Sequence, residues 1–279
     1  MTAPIRILLV GAEGRMGRAL AGLIAADAVP GLQVVAALDR PDNPHQGEDI
    51  GQLAIGRANG VQMGSDFEAA LQAHPDVAID FSFHVASAAL APRIARTRLA
   101  WVLGTTGLTP DEQAAIDRAA QTIPVLQAAN MSVGINLLHA LTAQAADILR
   151  GRGYDCEIIE RHHRHKKDAP SGTALFLGQA VADANGWNLP DVAMDGRSGM
   201  PGERPENQIG FHAVRGGDIV GDHTVLFATD GECIELSHRA TSRDTLARGA
   251  LRAAAWIAGR APGRYGMADV LGISLPKRS

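Results

Sequence analysis

Short apolar runs alternate with amphipathic stretches along the first half of the chain. Runs at 5–10, 33–38, 77–81, 100–103 and 125–127 are dominated by Ile, Val, Leu and Ala and predict the buried strands of a parallel sheet. Between them, 15–26, 66–73, 86–97 and 110–121 carry apolar positions at helical spacing. The last of these opens on Thr109, Pro110 and Glu112, a capping box with proline in the first turn. Strand and helix in this alternation predict an α/β domain, a doubly wound parallel sheet covered by helices.

After Asn130 the pattern changes. A helical stretch at 135–150 feeds a strand at 155–160, then a basic loop and a helix at 174–185. Between 209 and 240 come three β-type runs, with Gly216-Gly217-Asp218 and Thr229-Asp230-Gly231-Glu232 as turn signals. They predict an antiparallel meander in a second, mixed α/β domain with an open sheet. The stretch 187–208, rich in Gly, Pro, Asp and Arg, predicts a long surface loop of the kind used as a lid or an oligomer contact. A last helical run, 242–259, has an alanine-rich face suited to covering the first sheet. The expected domains are therefore 1–132 with 243–279, and 133–242.

The chain's 279 residues, 46% of them hydrophobic, suffice for the cores of two modest domains. Two cysteines, Cys156 and Cys233, are too few for a disulfide framework and lack metal-ligand spacing, so both are expected in core packing within a reducing compartment. The apolar run at 5–10 is too short and too soon interrupted for a signal peptide, and no segment is apolar for long enough to span a bilayer. A net charge of −4 argues against a dedicated nucleic-acid binder. The expectation is a cytoplasmic enzyme or sensor, without nucleic acid or membrane as partner.

Gly11, Ala12, Glu13, Gly14, Arg15, Met16 and Gly17 follow a strand and open a helix, where a dinucleotide pyrophosphate meets backbone N–H groups. The spacing is G-x-x-G-x-x-G, with Glu13 in the place of the usual second glycine, and such turns also arise simply to let helix and strand pack closely. Asp39 ends the next strand, about twenty positions further on, where a carboxylate accepts hydrogen bonds from the adenosine ribose. Arg40 suits the 2′-phosphate of NADP, which Asp39 would repel, so NADH and NADPH both stay open; a solvated Asp-Arg pair is the plainer alternative. Gly104, Thr105, Thr106 and Gly107, then Ala128, Ala129, Asn130, Met131 and Ser132, follow later strands and would line the same crevice.

The run from Glu160 to Thr173 concentrates the candidate chemistry. His162, His163 and His165 exchange protons near neutral pH, Arg161, Arg164, Lys166 and Lys167 supply positive charge, and Ser171-Gly172-Thr173 opens a helix whose N–H groups favour a carboxylate or phosphate. In an extended chain His162 and His163 point to opposite sides. A solvated cationic edge is the competing structural reading. A metal site on the three histidines would lack a matching Asp, Glu or Cys ligand and would face four cations, and RNA binding would lack interleaved aromatic residues. No metal is expected. A proton donor and cations able to hold a small anion stand together here.

On these residues, with Ile79-Asp80-Phe81, Ala129-Asn130-Met131-Ser132-Val133-Gly134 and Gly217-Asp218-Ile219-Val220-Gly221, nearly the whole chain resembles the 4-hydroxy-tetrahydrodipicolinate (dihydrodipicolinate) reductase family of the diaminopimelate route to lysine. The segment from Glu160 to Thr173 is very specific to that family; the glycine turn is not. The resemblance implies a Rossmann-type domain completed by the C-terminal helix, and a mixed α/β domain for substrate binding and tetramer formation, with a crevice between them that closes on cofactor and substrate. It implies that His162 and Lys166 carry the acid/base and proton-donor roles, and that His163 and the Gly172-Thr173 backbone hold the carboxylates of a cyclic dicarboxylate. Hydride would pass from the nicotinamide C4 to the ring, with the hydroxyl lost as water. Some relatives have glycine at Glu13, whose side chain is expected to point to solvent. Two other classes compete: another NAD(P)-linked enzyme of amino-acid metabolism, such as an aspartate-family dehydrogenase, would not need this array of His162, His163 and Lys166, and a non-catalytic nucleotide sensor would need none of them.

Overall fold

The computed structural model describes residues 3–274. They form two compact units, one running to Ser132 and resuming over Asp244–Leu271, the other spanning Val133–Arg243 together with residues 272–274. The expected extents 1–132 and 243–279 include 1–2 and 275–279, which lie outside the described residues.

The first unit contains β1 (Ile5–Val10), α1 (Arg15–Ala25), β2 (Leu32–Leu38), α2 (Ile50–Ile55), β3 (Met63–Gly64), α3 (Phe67–Leu71), β4 (Val77–Asp80), α4 (His84–Ile94), β5 (Ala100–Leu103), α5 (Pro110–Ala119) and β6 (Pro124–Gln127). The second contains α6 (Val133–Leu149), β7 (Asp155–His162), α7 (Gly172–Asn185), α8 (Leu189–Val192), β8 (Ala193–Asp195), β9 (Ile209–Arg215), β10 (Gly221–Thr229) and β11 (Glu232–Ala240). The chain then returns to the first unit with α9 (Asp244–Ile257), β12 (Gly263–Tyr265) and α10 (Met267–Leu271).

In the first unit seven parallel strands stand in the order β12-β6-β5-β4-β1-β2-β3. Leu9 lies between Ala37 on one side and Ile79 on the other, so the winding reverses between β1 and β4. Leu8, Ala78, Trp101 and Val125 share a core with Phe67 of α3, Leu90 and Ile94 of α4 and Ile116 of α5. The alternate residues Ile7, Leu9, Ile79, Val102 and Leu126 are equally buried. Helix α9 packs against β4, β5, β6 and α1, as its alanine-rich face predicts. Burial on both faces is why these strands read as continuous apolar runs rather than as alternating ones. Helix α5 starts on the predicted capping box: Glu112 N–H donates to Thr109 Oγ1 at 3.3 Å and Thr109 N–H donates to Glu112 Oε2 at 2.7 Å.

The second unit is a mixed sheet of five strands in the order β11-β10-β7-β9-β8. One face packs Cys156, Ile158, Phe211, Val225 and Phe227 against Leu138 of α6 and Leu177 of α7. Strands β10 and β11 form the expected antiparallel hairpin, but β9 does not join them in a meander: β7 lies between β9 and β10, parallel to the first and antiparallel to the second. The Gly216-Gly217 turn is not tight. It crosses the end of β7, with Gly216 N–H donating to His162 O at 2.9 Å and Arg164 N–H donating to Gly217 O at 3.1 Å.

Nor is 187–208 wholly loop, since α8 and β8 lie within it and β8 pairs with β9. The remainder is tied to β7: Arg197 donates to both oxygens of Glu157 at 2.9 Å, and Arg204 donates to Glu157 Oε1 at 2.8 Å and Asp155 Oδ1 at 2.6 Å. Cys156 is core, with its thiol pushed up to about 12, chiefly by burial, whereas Cys233 is exposed on the edge strand β11, so core packing holds for one cysteine only. No described helix is long and apolar enough to cross a membrane.

Candidate active site

The carboxyl ends of parallel strands share one edge of the first sheet, and four of the singled-out segments lie there. They are 11–17 after β1, Asp39-Arg40 after β2, 104–106 after β5 and 128–131 after β6. Two glycines of the first turn are required sterically. Gly11 has φ +76°, and a Cβ on it would come 2.9 Å from Phe81 O; a Cβ on Gly17 would come 2.3 Å from Ala12 O. Gly14 begins α1 without a side-chain cap, so the first-turn N–H groups at Arg15 and Met16 meet no capping side chain.

Glu13 does not simply point to solvent. Its carboxylate lies 2.5 Å from Arg18 Nη2, one turn along α1, and its backbone N–H donates to Asp39 Oδ2 at 3.0 Å. The other oxygen, Asp39 Oδ1, accepts from Arg40 N–H at 2.9 Å and Asn43 Nδ2 at 3.0 Å. Asp39 is thereby fixed at the rim of a cavity of 490 Å³, with Gly11, Gly14, Arg40, Phe81 and Ser82 also in its wall. Its Oδ2 retains capacity for another donor. The Arg40 side chain is 70% exposed and only loosely paired, 3.3 Å from Asp42.

The later segments are held from beneath. Gly104 carries no side chain because a Cβ there would come 2.1 Å from the Phe81 ring. Thr105 Oγ1 accepts from Ser87 Oγ at 3.0 Å, and Ser82 Oγ donates to Asp80 Oδ1 at 2.6 Å. Asp80 is fully buried, and burial raises its pKa against the lowering effect of the Ser82, Ser87 and Thr105 hydroxyls. Thr106 and Ala129 are exposed, Ala128 N–H donates to Leu103 O at 3.2 Å, and Asn130 Oδ1 accepts from Ser132 N–H at 2.9 Å. Met131 is buried, its carbonyl 1.8 Å from where a Cβ on Gly249 of α9 would stand. Ser82 and Phe83 were not singled out in the sequence; their position after β4, a sheet strand like the others, was the available signal.

This edge fits a dinucleotide. Glycines stand where a Cβ would collide, an uncapped helix start is available for a pyrophosphate, an anchored carboxylate for a ribose, and a cavity for the adenosine half.

The candidate reactive cluster belongs to the second unit. Glu160 and His162 share one face of β7, and Glu160 is 1% exposed. Its Oε2 lies 2.5 Å from His162 Nδ1, Arg215 on β9 donates to its two oxygens at 2.8 and 2.7 Å, and Ser171 N–H donates to Oε1 at 3.1 Å. Burial opposes ionisation of Glu160, but the Arg215 and His162 hydrogen bonds outweigh it and hold the carboxyl below its usual range. Arg215 Nη2 also donates to Asp168 O at 2.6 Å, and Lys166 Nζ donates to both Asp168 carboxylate oxygens at 2.9 Å. Ser171 Oγ caps α7 by accepting from Ala174 N–H at 3.1 Å, which fixes Gly172 and Thr173 in the first turn.

One hydrogen-bonded chain therefore links His162, Glu160, Arg215, Asp168 and Lys166 and reaches the turn that carries Gly172 and Thr173. His163 stands outside it. Its ring centroid lies 6.2 Å from that of His165, and desolvation followed by the charge of Arg243 lowers its pKa. His223 on β10 meets the His162 ring edge-on at 5.1 Å and lies 3.2 Å from Ser171 Oγ; burial pushes it down to about 3, so it is neutral near pH 7. The sequence reading missed Arg215 and His223, which reach the cluster only through pairing of β9 and β10 with β7. No group of three or more His, Cys, Asp or Glu among the described residues is arranged to hold a metal ion.

Comparison with known proteins gives a family for both halves of the chain. Residues 5–131 match the family described as dihydrodipicolinate reductase, N-terminus, and residues 134–271 the one described as dihydrodipicolinate reductase, C-terminus. The chain is 53% identical to the 4-hydroxy-tetrahydrodipicolinate reductase of Alkalilimnicola ehrlichii and 52% identical to that of Thiobacillus denitrificans, in each case over 96% of this chain and 99% of the relative. A dipicolinate-bound dihydrodipicolinate reductase from Paenisporosarcina sp. TG-14 shares the fold, with a TM-score of 0.76 and 22% identity over 95% of this chain and 98% of that one. The chain belongs to the dihydrodipicolinate reductase family, and its first unit is that family's NAD(P)-binding Rossmann domain.

Proposed function

We infer that the chain reduces 4-hydroxy-tetrahydrodipicolinate to tetrahydrodipicolinate with NADH or NADPH, losing water, in diaminopimelate and lysine biosynthesis. The single observation that carries this reading is the hydrogen-bonded set of His162, Glu160, Arg215, Asp168, Lys166 and Ser171. It supports the reading because an imidazole suited to proton exchange and an ammonium join one network with the start of α7, whose N–H groups suit a carboxylate. NAD(P)H supplies the hydride when bound. In this assignment His162 exchanges the proton of the acid/base step and Lys166 donates the proton that completes reduction. His163 and the Gly172-Thr173 backbone hold the substrate carboxylates. The turn 11–16, Asp39, Arg40, residues 104–106 and residues 128–131 bind the cofactor.

The units divide the labour accordingly, the first for dinucleotide binding and the second for substrate binding and assembly. A cytoplasmic homotetramer belongs to the same reading. Its support is the edge strand β11, where Glu232, Cys233, Ile234 and Glu235 are exposed and an open edge calls for a partner. Light scattering should then give four times the chain mass. The reaction is tested by following nicotinamide absorbance with enzymatically generated 4-hydroxy-tetrahydrodipicolinate, NADH and NADPH in parallel. Rapid oxidation is expected with at least one cofactor. None with either, from folded protein that still binds nucleotide, would move the reading to another imine or carbonyl substrate.

A further inference from the structure

The Glu160 carboxylate takes no direct part in the acid/base assignment above, yet four hydrogen bonds converge on its two oxygens. Its two oxygens receive His162 Nδ1 from its own strand, both terminal nitrogens of Arg215 from β9, and the Ser171 N–H from the turn into α7. We propose that Glu160 is a positioning residue, which locks the His162 imidazole in the tautomer protonated at Nδ1 while holding in register the turn that presents Gly172 and Thr173. The inference rests on the proposed roles of His162 and that turn.

An ionised carboxylate can only accept, so a 2.5 Å contact requires the proton on the imidazole side, at Nδ1. In the neutral ring Nε2 is then left with its lone pair as the proton-exchanging atom. Gly221 keeps the space beside that nitrogen open: a Cβ there would come 3.1 Å from Nε2. Arg215 supplies the positive charge that keeps Glu160 ionised at 1% exposure, and His223, uncharged near pH 7, does not compete with His162 as a cation. A carboxylate serving only as a structural partner of Arg215 would need neither the imidazole nor the Ser171 N–H. Here the proton-exchanging ring and the carboxylate-binding turn are indexed to the same two oxygens.

The direct test is the ring-nitrogen 15N spectrum of histidine-labelled protein, with the His162 signal assigned by its loss in His162→Gln. The wild type should show protonation at Nδ1 with Nε2 free, and Glu160→Gln should shift that signal toward the Nε2-protonated form. An Nε2-protonated His162 in the wild type overturns the proposal without recourse to any variant, as does an unchanged tautomer in Glu160→Gln. Kinetics supply the second arm. Glu160→Gln should lower kcat at least tenfold while the dissociation constant for NADPH stays within twofold, and in a His162→Ala background the same substitution should lower kcat less than twofold further. Additive losses would mean that Glu160 does not act through His162. If His162→Ala leaves kcat unchanged, the acid/base assignment of His162 fails, and the tautomer spectrum still decides the positioning role.

Discussion

Glu157→Gln removes one charge with little change of shape and releases three partners at once. Arg197 donates to both carboxylate oxygens at 2.9 Å, Arg204 to Oε1 at 2.8 Å, and His212 Nε2 lies 2.6 Å from Oε2. Gly210 makes room for the cluster, since a Cβ there would stand 1.8 Å from Oε2. Burial disfavours the charged form, but these hydrogen bonds and the Arg197 charge overcome it and pull the carboxyl from 4.5 down to about 2. A folded-state pKa below the unfolded one gives stability that is complete above 4.5 and lost as the pH falls toward 2. The difference corresponds to about 3 kcal/mol at pH 7 and about 2 kcal/mol at pH 3.5. The side chain is only 15% exposed, so solvent screening takes little from this. Urea denaturation of both proteins at fixed concentration should show that gap at pH 7 and its narrowing by about 1 kcal/mol at pH 3.5. A gap below about 1 kcal/mol at pH 7, or one that does not narrow with acid, would refute the view that this carboxylate anchors the stretch ending at Gln208.

Three further substitutions probe the nucleotide edge. Asp80→Asn should gain on the wild type as the pH rises from 4 to 7: a carboxyl raised above 3.8 by burial stabilises only at low pH and loses that contribution through its folded pKa, while the amide loses nothing. Parallel thermal-denaturation curves against pH would contradict this. Gly17→Ala puts a Cβ 2.3 Å from Ala12 O, so the turn must open, costing about 1–3 kcal/mol and raising the NADH dissociation constant at least tenfold; calorimetry showing unaltered binding would remove the turn from the proposed cofactor site. Arg40→Ala should weaken NADPH more than NADH, because only NADPH offers a 2′-phosphate to an exposed guanidinium; equal losses in titration would assign Arg40 no part in cofactor choice.

The first unit was legible in the sequence because its strands are buried on both faces, as at Ile7, Leu8 and Leu9, and because Thr109, Pro110 and Glu112 mark a helix start chemically. The placement of the proposed cofactor segments at one edge was legible for a related reason: they follow strands directly, and the chain order of parallel strands delivers them there. The β9–β10 connection was misread because Gly216-Gly217 reports a change of direction and not the number of strands crossed; only the pairing of both strands with β7 resolves it. The same pairing hid Arg215 and His223, whose hydrogen-bonding partners lie 55 and 52 residues away in the chain. Glu13 was misplaced by ignoring Arg18, five positions along the same turn and helix. Elements such as β3 and β12, of two and three residues, carry too few side chains for any periodicity.

The assignment of the 160–173 segment as the reactive centre is tested most directly by Lys166→Ala, with turnover and nucleotide affinity measured on one preparation. Lys166 is tied to Asp168 and, through Arg215, to Glu160 and His162, all within the second unit, so nucleotide affinity should hold within twofold while turnover falls by about a hundredfold or more, the scale of a lost proton donor. Turnover equal to that of the wild type would contradict the assignment.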